Sequence, residues 1–437
     1  MTHSQTFAAT DPQQINLEPI ALVALEAGRL LMVTGGKASV VREGITLVAE
    51  GLGSERTDIR VGFASIAVTV TVAGRTITRM VGVGAHGVNM QLNHALREIC
   101  VEVQRGGQSC DEVARRLTAL AGGMPHYHPI VASLAAGIAC ASFGRLLGID
   151  WAAFLPVLIA GTIGQFLRIQ LNRRGVNGFV VTGIVAFAAS ALAGLMALWS
   201  HSGMLSIAMS AAVLMLVPGV PAINAQTDIM EGFPTLGSAR AVSVFMVLVF
   251  LTVGVGATRI IFGDAVGESV GLHNHVLHQT IFGAIAAAGF GVLFNFELVT
   301  LLWAGVAGAI ALAVRTSGLE AGWTLEAASF AAAVAVAITV EIADTLPVDI
   351  RRAGNALAVA GCIPMIPGSA AAHWIIGLLE LTKQSPQNLE QLVNLTFQNG
   401  LRVIFTIGAI GAGVTIVASL MRRPNFPRKA RATGRSA

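Results

Sequence analysis

Two short stretches place helix-breaking residues beside groups able to bind an acid or move a proton. The first, Val213 to Gly232, reads V-L-M-L-V-P-G-V-P-A-I-N-A-Q-T-D-I-M-E-G. Pro218 and Pro221 each remove a backbone donor and Gly219 admits unusual dihedrals, so the apolar run cannot continue as one regular helix. Asn224, Gln226, Asp228 and Glu231 follow at once. The second, Gly361 to Glu380, is interrupted by Pro364, Pro367 and Gly368, with Ser369 and His373 just beyond. A helix restarting after Pro-Gly presents unpaired N–H groups and a partial positive charge, which suits a carboxylate. Ala222 to Gln226 and Ser369 to Ala372 are the two expected restarts. Prolines that merely kink two helices for packing are the plainer reading. The Pro-Gly steps recur 149 residues apart with polar residues beside both, which favours a transport site.

Ionisable groups inside apolar helices are costly and point to function. Glu341 lies within such a segment, with Asp344 one turn on along the same face and Arg351 and Arg352 past Pro347. They read either as a proton-linked carboxylate pair or ligand for an ammonium, or as a helix end pairing with those arginines. Asp228, Glu231 and Arg240 present the same alternatives in the first half. His373 is placed to titrate during transport, or to pack as a hydrogen-bonded histidine. His273, His275 and His278 lie in a loop with no fixed carboxylate nearby, so no metal site is expected. Gly35-Gly36-Lys37 lacks the upstream glycine of a nucleotide-binding loop, and no cofactor is expected.

The surroundings of these residues are apolar. A hydrophobic share of 54% against 12% charge identifies an integral membrane protein. The net charge of +4 comes largely from the carboxy-terminal tail and speaks for topology, not nucleic-acid binding. The first twenty residues lack a basic n-region and apolar core, so no cleaved signal is expected. Cys100, Cys110, Cys140 and Cys362 show no metal-ligand spacing and read as free thiols.

Charge is concentrated before Pro129. Leu17 to Thr34 is apolar but carries Glu26 and Arg29, and reads as an amphipathic helix too short to span a bilayer. Lys37 to Leu52 reads as a second helix, Ile59 to Val83 as two or three strands turning at Gly74-Arg75, and Val88 to Arg105 and Ser109 to Leu120 as helices. Ser109 and Glu112 stand at capping-box spacing. Residues 1–125 are therefore expected to form a small α+β cytoplasmic domain.

Ten spans are expected beyond it, at 129–148, 151–170, 176–199, 204–224, 239–262, 275–295, 298–315, 324–346, 354–379 and 399–421. Arg168, Arg173, Arg174, Arg240, Arg351, Arg352 and the basic tail 422–437 fall on one side; Arg145, Arg259, Arg315 and Lys383 fall on the other. The positive-inside rule places both termini in the cytoplasm. A-C-A-S-F-G at Ala139 resembles A-A-A-G-F-G at Ala286, and A-G-T-I-G at Ala160 resembles A-G-V-A-G at Ala304. Five spans per half is odd, so the halves 126–262 and 263–421 are expected to be inverted repeats.

E-A-G-R-L-L-M-V-T-G-G at Glu26, G-V-N-M-Q-L at Gly87, the first proline motif with Gly237 and Arg240, and I-P-M-I-P-G-S-A-A-A at Ile363 are together familiar. Nearly the whole chain resembles the threonine/serine exporter family, in which a cytoplasmic domain precedes a ten-helix membrane region. In related systems the two membrane parts are separate small proteins, one such pair being associated with succinate export. The resemblance implies proton-driven export of small amino acids or short-chain carboxylates across a prokaryotic plasma membrane. A neutral amino acid needs a partner for its ammonium, which favours Asp228, Glu341 or Asp344; a dicarboxylate needs a second cation, which favours Arg240 or Arg351. A membrane-anchored hydrolase using His86, Asn89, His94 and Asp111 is the competing class, but no nucleophile elbow or metal spacing accompanies them. The first domain therefore reads as a regulatory or assembly module, and a homo-oligomer is among the expected partners, with the substrate, protons and lipid.

Overall fold

A computed structural model describes residues 17–262, 275–345, 354–381, 389–421 and 425–426. The amino-terminal layer comprises α1 (Leu17–Val33), α2 (Ala38–Gly51), β1 (Arg56–Val61), β2 (Ser65–Val72), β3 (Arg75–Gly82), α3 (Met90–Gln104) and α4 (Cys110–Gly123). The strands form one antiparallel sheet in the order β1-β2-β3. Ala73 and Gly74 both take positive φ, the geometry of a two-residue hairpin whose twist matches the strands. Ile66, Val68 and Val70 alternate onto the buried face. Helix α1 packs on all three other helices and on β2 and β3, which accounts for its apolar composition; Glu26 and Arg29 pair with each other at 2.6 Å on its half-buried side. Ser109 caps α4 by accepting from the Glu112 amide, 3.3 Å away.

Helix α1 ends in a Schellman turn. Gly36 donates to the Leu31 carbonyl and Gly35 to that of Met32, with Gly35 at φ +97°. A Cβ on Gly36 would lie 2.6 Å from the Leu31 oxygen, so the second glycine is needed for the tight approach. This turn delivers Lys37 and Ala38 to the membrane part.

The membrane part contains α5 (Pro129–Leu146), α6 (Trp151–Arg173), α7 (Gly178–Trp199), α8 (Leu205–Ala211), α9 (Gly219–Met230), α10 (Pro234–Phe262), α11 (Val276–Leu293), α12 (Leu298–Glu320), α13 (Leu325–Thr345), α14 (Gly354–Cys362), α15 (Gly368–Glu380) and α16 (Leu389–Leu420). Eight of the described helices are long and apolar enough to cross a membrane singly, and α8 with α9 makes a ninth candidate span bent by 58°. The stretch expected as the span 354–379 is divided in the same manner, into α14, a 3-10 turn at Ile363–Met365, and α15.

The two halves match element by element. Helices α11, α12 and α13 begin 147 residues after α5, α6 and α7, and the 3-10 turn and α15 begin 149 residues after Leu214–Leu216 and α9. Even the caps recur: Ile149 donates to Gly144 past Gly148 at φ +94°, and Phe296 donates to Gly291 past Asn295 at φ +57°. The 147-residue offset shared by the first three helices corrects one sequence match. Ala160-Gly161 corresponds to Ala307-Gly308, not to Ala304-Gly305, because a stripe of small residues repeats every three or four positions and resembles itself one turn out of register.

Three later links return to the amino-terminal layer. Phe294 accepts from the Met90 amide at 2.9 Å, and Asn295 donates to Asn89 at 3.1 Å and to the Pro125 carbonyl at 2.9 Å. Asn425 donates to Glu43 at 2.7 Å and accepts through its carbonyl from Arg97 at 3.0 Å, while Phe426 is buried in the layer's own core. The third link is the carboxy-terminal end of α9.

Candidate functional site

The two Pro-Gly breaks meet. Val217 and Ile366, the residues before Pro218 and Pro367, share one conformation at φ −66°, ψ 122° and φ −65°, ψ 126°. Gly219 donates back to the Val217 carbonyl at 2.9 Å, and Gly368 to that of Ile366 at 2.8 Å. The first amide of each restart is therefore already occupied by a tight turn. A Cβ on Gly219 would lie 2.8 Å from Ile366 Cδ1, and one on Gly368 would lie 2.9 Å from Leu214 Cδ2. Each glycine lets a side chain of the other half seat closely against it, a contact that a bulky residue would block.

A crevice of about 10 Å³ lies at this crossing, lined in equivalent pairs by Phe143 with Phe290, Leu214 with Ile363, Val217 with Ile366, and Gly219 with Gly368. The two phenyl rings meet edge to face with centroids 5.7 Å apart. That volume holds one water-sized sphere and the walls are apolar, so the crossing is closed in this state. Pro364 is buried in the 3-10 turn beside it.

The polar residues after the first break lie along α9 and engage the amino-terminal layer and α16. Asn224 donates to the Gly35 carbonyl at 3.0 Å, and Gln226 donates to the Gly408 carbonyl of α16 at 2.9 Å. Asp228 accepts from the Ala38 amide at 2.7 Å through one oxygen and pairs with Arg240 at 2.9 Å through the other. Arg240 also donates to the Gly36 carbonyl at 2.8 Å, and Lys37 pairs with Glu231. The loop that joins α1 to α2 is thus gripped by α9 and the start of α10. The second half lacks the buried pair, since Gly377 stands where Asp228 does and packs against Thr396, while Glu380 keeps the place of Glu231.

His373 is exposed on α15, and Glu341 is half-buried on α13. The side chains of Asp344 and Ser369, and Arg351 altogether, lie outside the described residues. His278 is 3.2 Å from Arg145, which stacks 4.4 Å over the Trp151 ring. In the amino-terminal layer His86 stacks on Phe63 at 4.4 Å, and burial pushes the Cys100 thiol up to about 12. In the sequence Lys37 reads as the start of a helix beside an incomplete nucleotide loop, and Arg168 and Arg315 read as topology markers. The 147-residue offset, applied residue by residue, makes Arg168 and Arg315 equivalent positions of the two halves.

Comparison with known proteins bears on this arrangement. A family model described as "Putative threonine/serine exporter" matches residues 22–261, and a second, "Threonine/Serine exporter, ThrE", matches residues 279–420. Two relatives carry the name "Probable succinate transporter subunit YjjP". The one from Escherichia coli is 26% identical over 56% of this chain and 95% of its own length, and the one from Klebsiella aerogenes is 26% identical over 51% and 85%. No solved structure matches the chain. With one family model covering the amino-terminal layer and the first membrane half, and its companion covering the second half, the chain belongs to the threonine/serine exporter family of membrane transporters.

Proposed function

We propose that the protein is a secondary active exporter of a small amino acid of the threonine/serine type, coupled to the proton gradient, with its pathway through the crossing of the two Pro-Gly breaks. The observation that carries this reading is the reciprocal seating of Gly219 against Ile366 and Gly368 against Leu214. Two interrupted helices that cross at equivalent positions are where transporters built from repeats hold their substrate and switch sides. In the closed state the crevice is too small for an amino acid, so the halves must part to load it. Pro218, Gly219, Pro364, Pro367 and Gly368 form the two breaks that shape this path, Ser369 and His373 follow the second break in the sequence, and Asn224, Gln226 and Asp228 hold α9 to the amino-terminal layer and α16.

Ten crossings and an inverted second half are supported by parity. The amino-terminal layer runs into α5 past Tyr127 and is bonded to Glu231, to Phe294 and to Asn425, which puts these points on one side. Returning from Phe294 to that side at Asn425 takes an even number of crossings, so α14 and α15 together count as one span beside α12, α13 and α16. Five crossings per half then turn the second copy over. The abundance of arginine near this side makes it the cytoplasmic one, with both termini inside a prokaryotic plasma membrane.

A second reading, export of a short-chain dicarboxylate, is favoured by the succinate transporter name that both relatives carry. A membrane-anchored hydrolase is the remaining alternative, and turnover of a metabolite by the purified chain would support it. Proteoliposomes loaded with labelled threonine or serine under an imposed pH gradient test the first reading. Efflux that follows the gradient is expected; flux indifferent to pH overturns proton coupling, and competition by succinate but not by serine moves the assignment to the dicarboxylate.

A further inference from the structure

Helices α6 and α12 bury the same stripe. Val157, Ala160, Gly161 and Gly164 of α6 correspond, 147 residues on, to Ala304, Ala307, Gly308 and Ala311 of α12, all buried. One turn later the stripe ends in Arg168 and in Arg315. The small residues have a packing reason. A Cβ on Gly164 would lie 3.2 Å from Met215 in the turn before the first break, and one on Gly361, in the helix leading to the second break, would lie 2.6 Å from Ala307 Cβ. Packing gives no reason for an arginine, whose charge in an apolar helix is costly.

An arginine close to a helix end ordinarily reaches outward to the water. Arg315 instead donates to the carbonyl of Met365, the last residue of the 3-10 turn before the second break, at 3.2 Å, and its Nε is buried with no hydrogen-bond partner among the described residues. Among the described residues no carboxylate forms an ion pair with Arg168 or Arg315. The other cation beside a break, Arg240, is already matched by Asp228, and the first amide of each restart is spent in its own turn. Two guanidinium groups without a carboxylate partner among the described residues thus stand at equivalent places of the two halves, Arg315 bonded to the turn before the second break and Arg168 one turn past Gly164, which packs on the turn before the first.

We propose that Arg168 and Arg315 are the anchors of the substrate carboxylate, one serving each face of the crossing. The inference rests on the transporter reading above and adds the residues and the chemical class they select. A guanidinium offers a planar pair of donors matched to a carboxylate and stays charged at every physiological pH, which leaves proton coupling to another group. In halves related by inversion, residues at equivalent positions exchange roles when the protein changes face. With the termini inside, Arg168 receives the acid from the cytoplasm and Arg315 holds it as the site opens outward.

The test uses the full chain in proteoliposomes of defined orientation, with labelled serine and labelled succinate, and measures KM from each face. Arg168→Gln is expected to raise KM at the cytoplasmic face by roughly tenfold or more while changing it little at the outer face, and Arg315→Gln the reverse, as expected for loss of a charged hydrogen bond. Arg→Lys at either position should recover part of the loss. Equal KM changes at both faces, or a fall in kcat with KM unchanged, overturns the proposal and leaves the arginines a packing role. If the wild-type chain carries neither substrate, the transporter reading fails on its own. Stabilisation of the detergent-solubilised chain by serine or succinate then reads the same contacts. Its loss in the Arg168→Gln/Arg315→Gln double variant supports them; persistence, or no stabilisation of the wild type, overturns them.

Discussion

Asp228 and Arg240 lie 2.9 Å apart at 0% and 6% exposure, and each spends a second bond on the same loop, at the Ala38 amide and the Gly36 carbonyl. The pair therefore fastens the amino-terminal layer to the helix that restarts at the first break. Its absence from the equivalent place in the second half, where Gly377 meets Thr396, ties it to the layer and not to the repeated transport core.

Removing one partner leaves an unmatched buried charge, at a cost of about 3–5 kcal/mol. Asp228→Ala is therefore expected to lower the melting temperature of the detergent-solubilised chain strongly, and Arg240→Met likewise. The double variant should be more stable than either single one, since the unmatched charge is gone. Melting curves of the four proteins check this; strictly additive losses would mean that the two residues act separately.

The crossing itself makes a second expectation. A Cβ on Gly219 would meet only the flexible tip of Ile366, at 2.8 Å, so Gly219→Ala should be tolerated with a loss below about 1–3 kcal/mol, the usual range for overpacking. Gly219→Val adds bulk that no tip movement accommodates and should abolish flux. Ile366→Ala in that background should restore part of it, and initial efflux rates provide the reading. Unimpaired flux in Gly219→Val would place the pathway elsewhere.

Much of this arrangement is legible in the sequence, for local reasons. The Pro-Gly steps announce both breaks because proline's missing donor acts within one turn, and the alternation around Ile66, Val68 and Val70 announces the sheet. What lies far apart in the chain is not legible. Nothing local in N-A-Q-T-D shows that Asn224 and Asp228 reach back to Gly35 and Ala38, some 190 residues earlier. Nor does a Gly/Ala stripe fix its own register; the matching caps at Gly148 and Asn295 fix it, one turn away from the match of Ala160 with Ala304.

The thiols separate by environment. Cys100, Cys140 and Cys362 are buried, whereas Cys110 is half-buried at the start of α4. Burial and then the neighbouring Asp111 charge raise the Cys110 pKa, and burial alone takes Cys100 to about 12. Since the thiolate is the reactive form, a polar maleimide should label the native chain once, at Cys110, with a rate still rising above the usual thiol range of pH. Mass spectrometry should find the other three modified only after denaturation. Native labelling of Cys100 would show that the layer opens.

The proposed proton coupling can be tested at Glu341. It is half-buried on α13, which packs against α14, the helix that leads into the second break, and against α16. An ionisable side chain inside an apolar helix is costly and points to function, which makes this residue the one to test for the proposed coupling. Glu341→Gln fixes the neutral state with the same shape. Substrate exchange between two loaded compartments, which needs no net proton movement, should continue in this variant. Uphill efflux driven by a pH gradient should fall to the rate seen without one. Both are read in the same proteoliposomes by changing only the external buffer, and gradient-driven efflux that survives the substitution would remove Glu341 from the proton path.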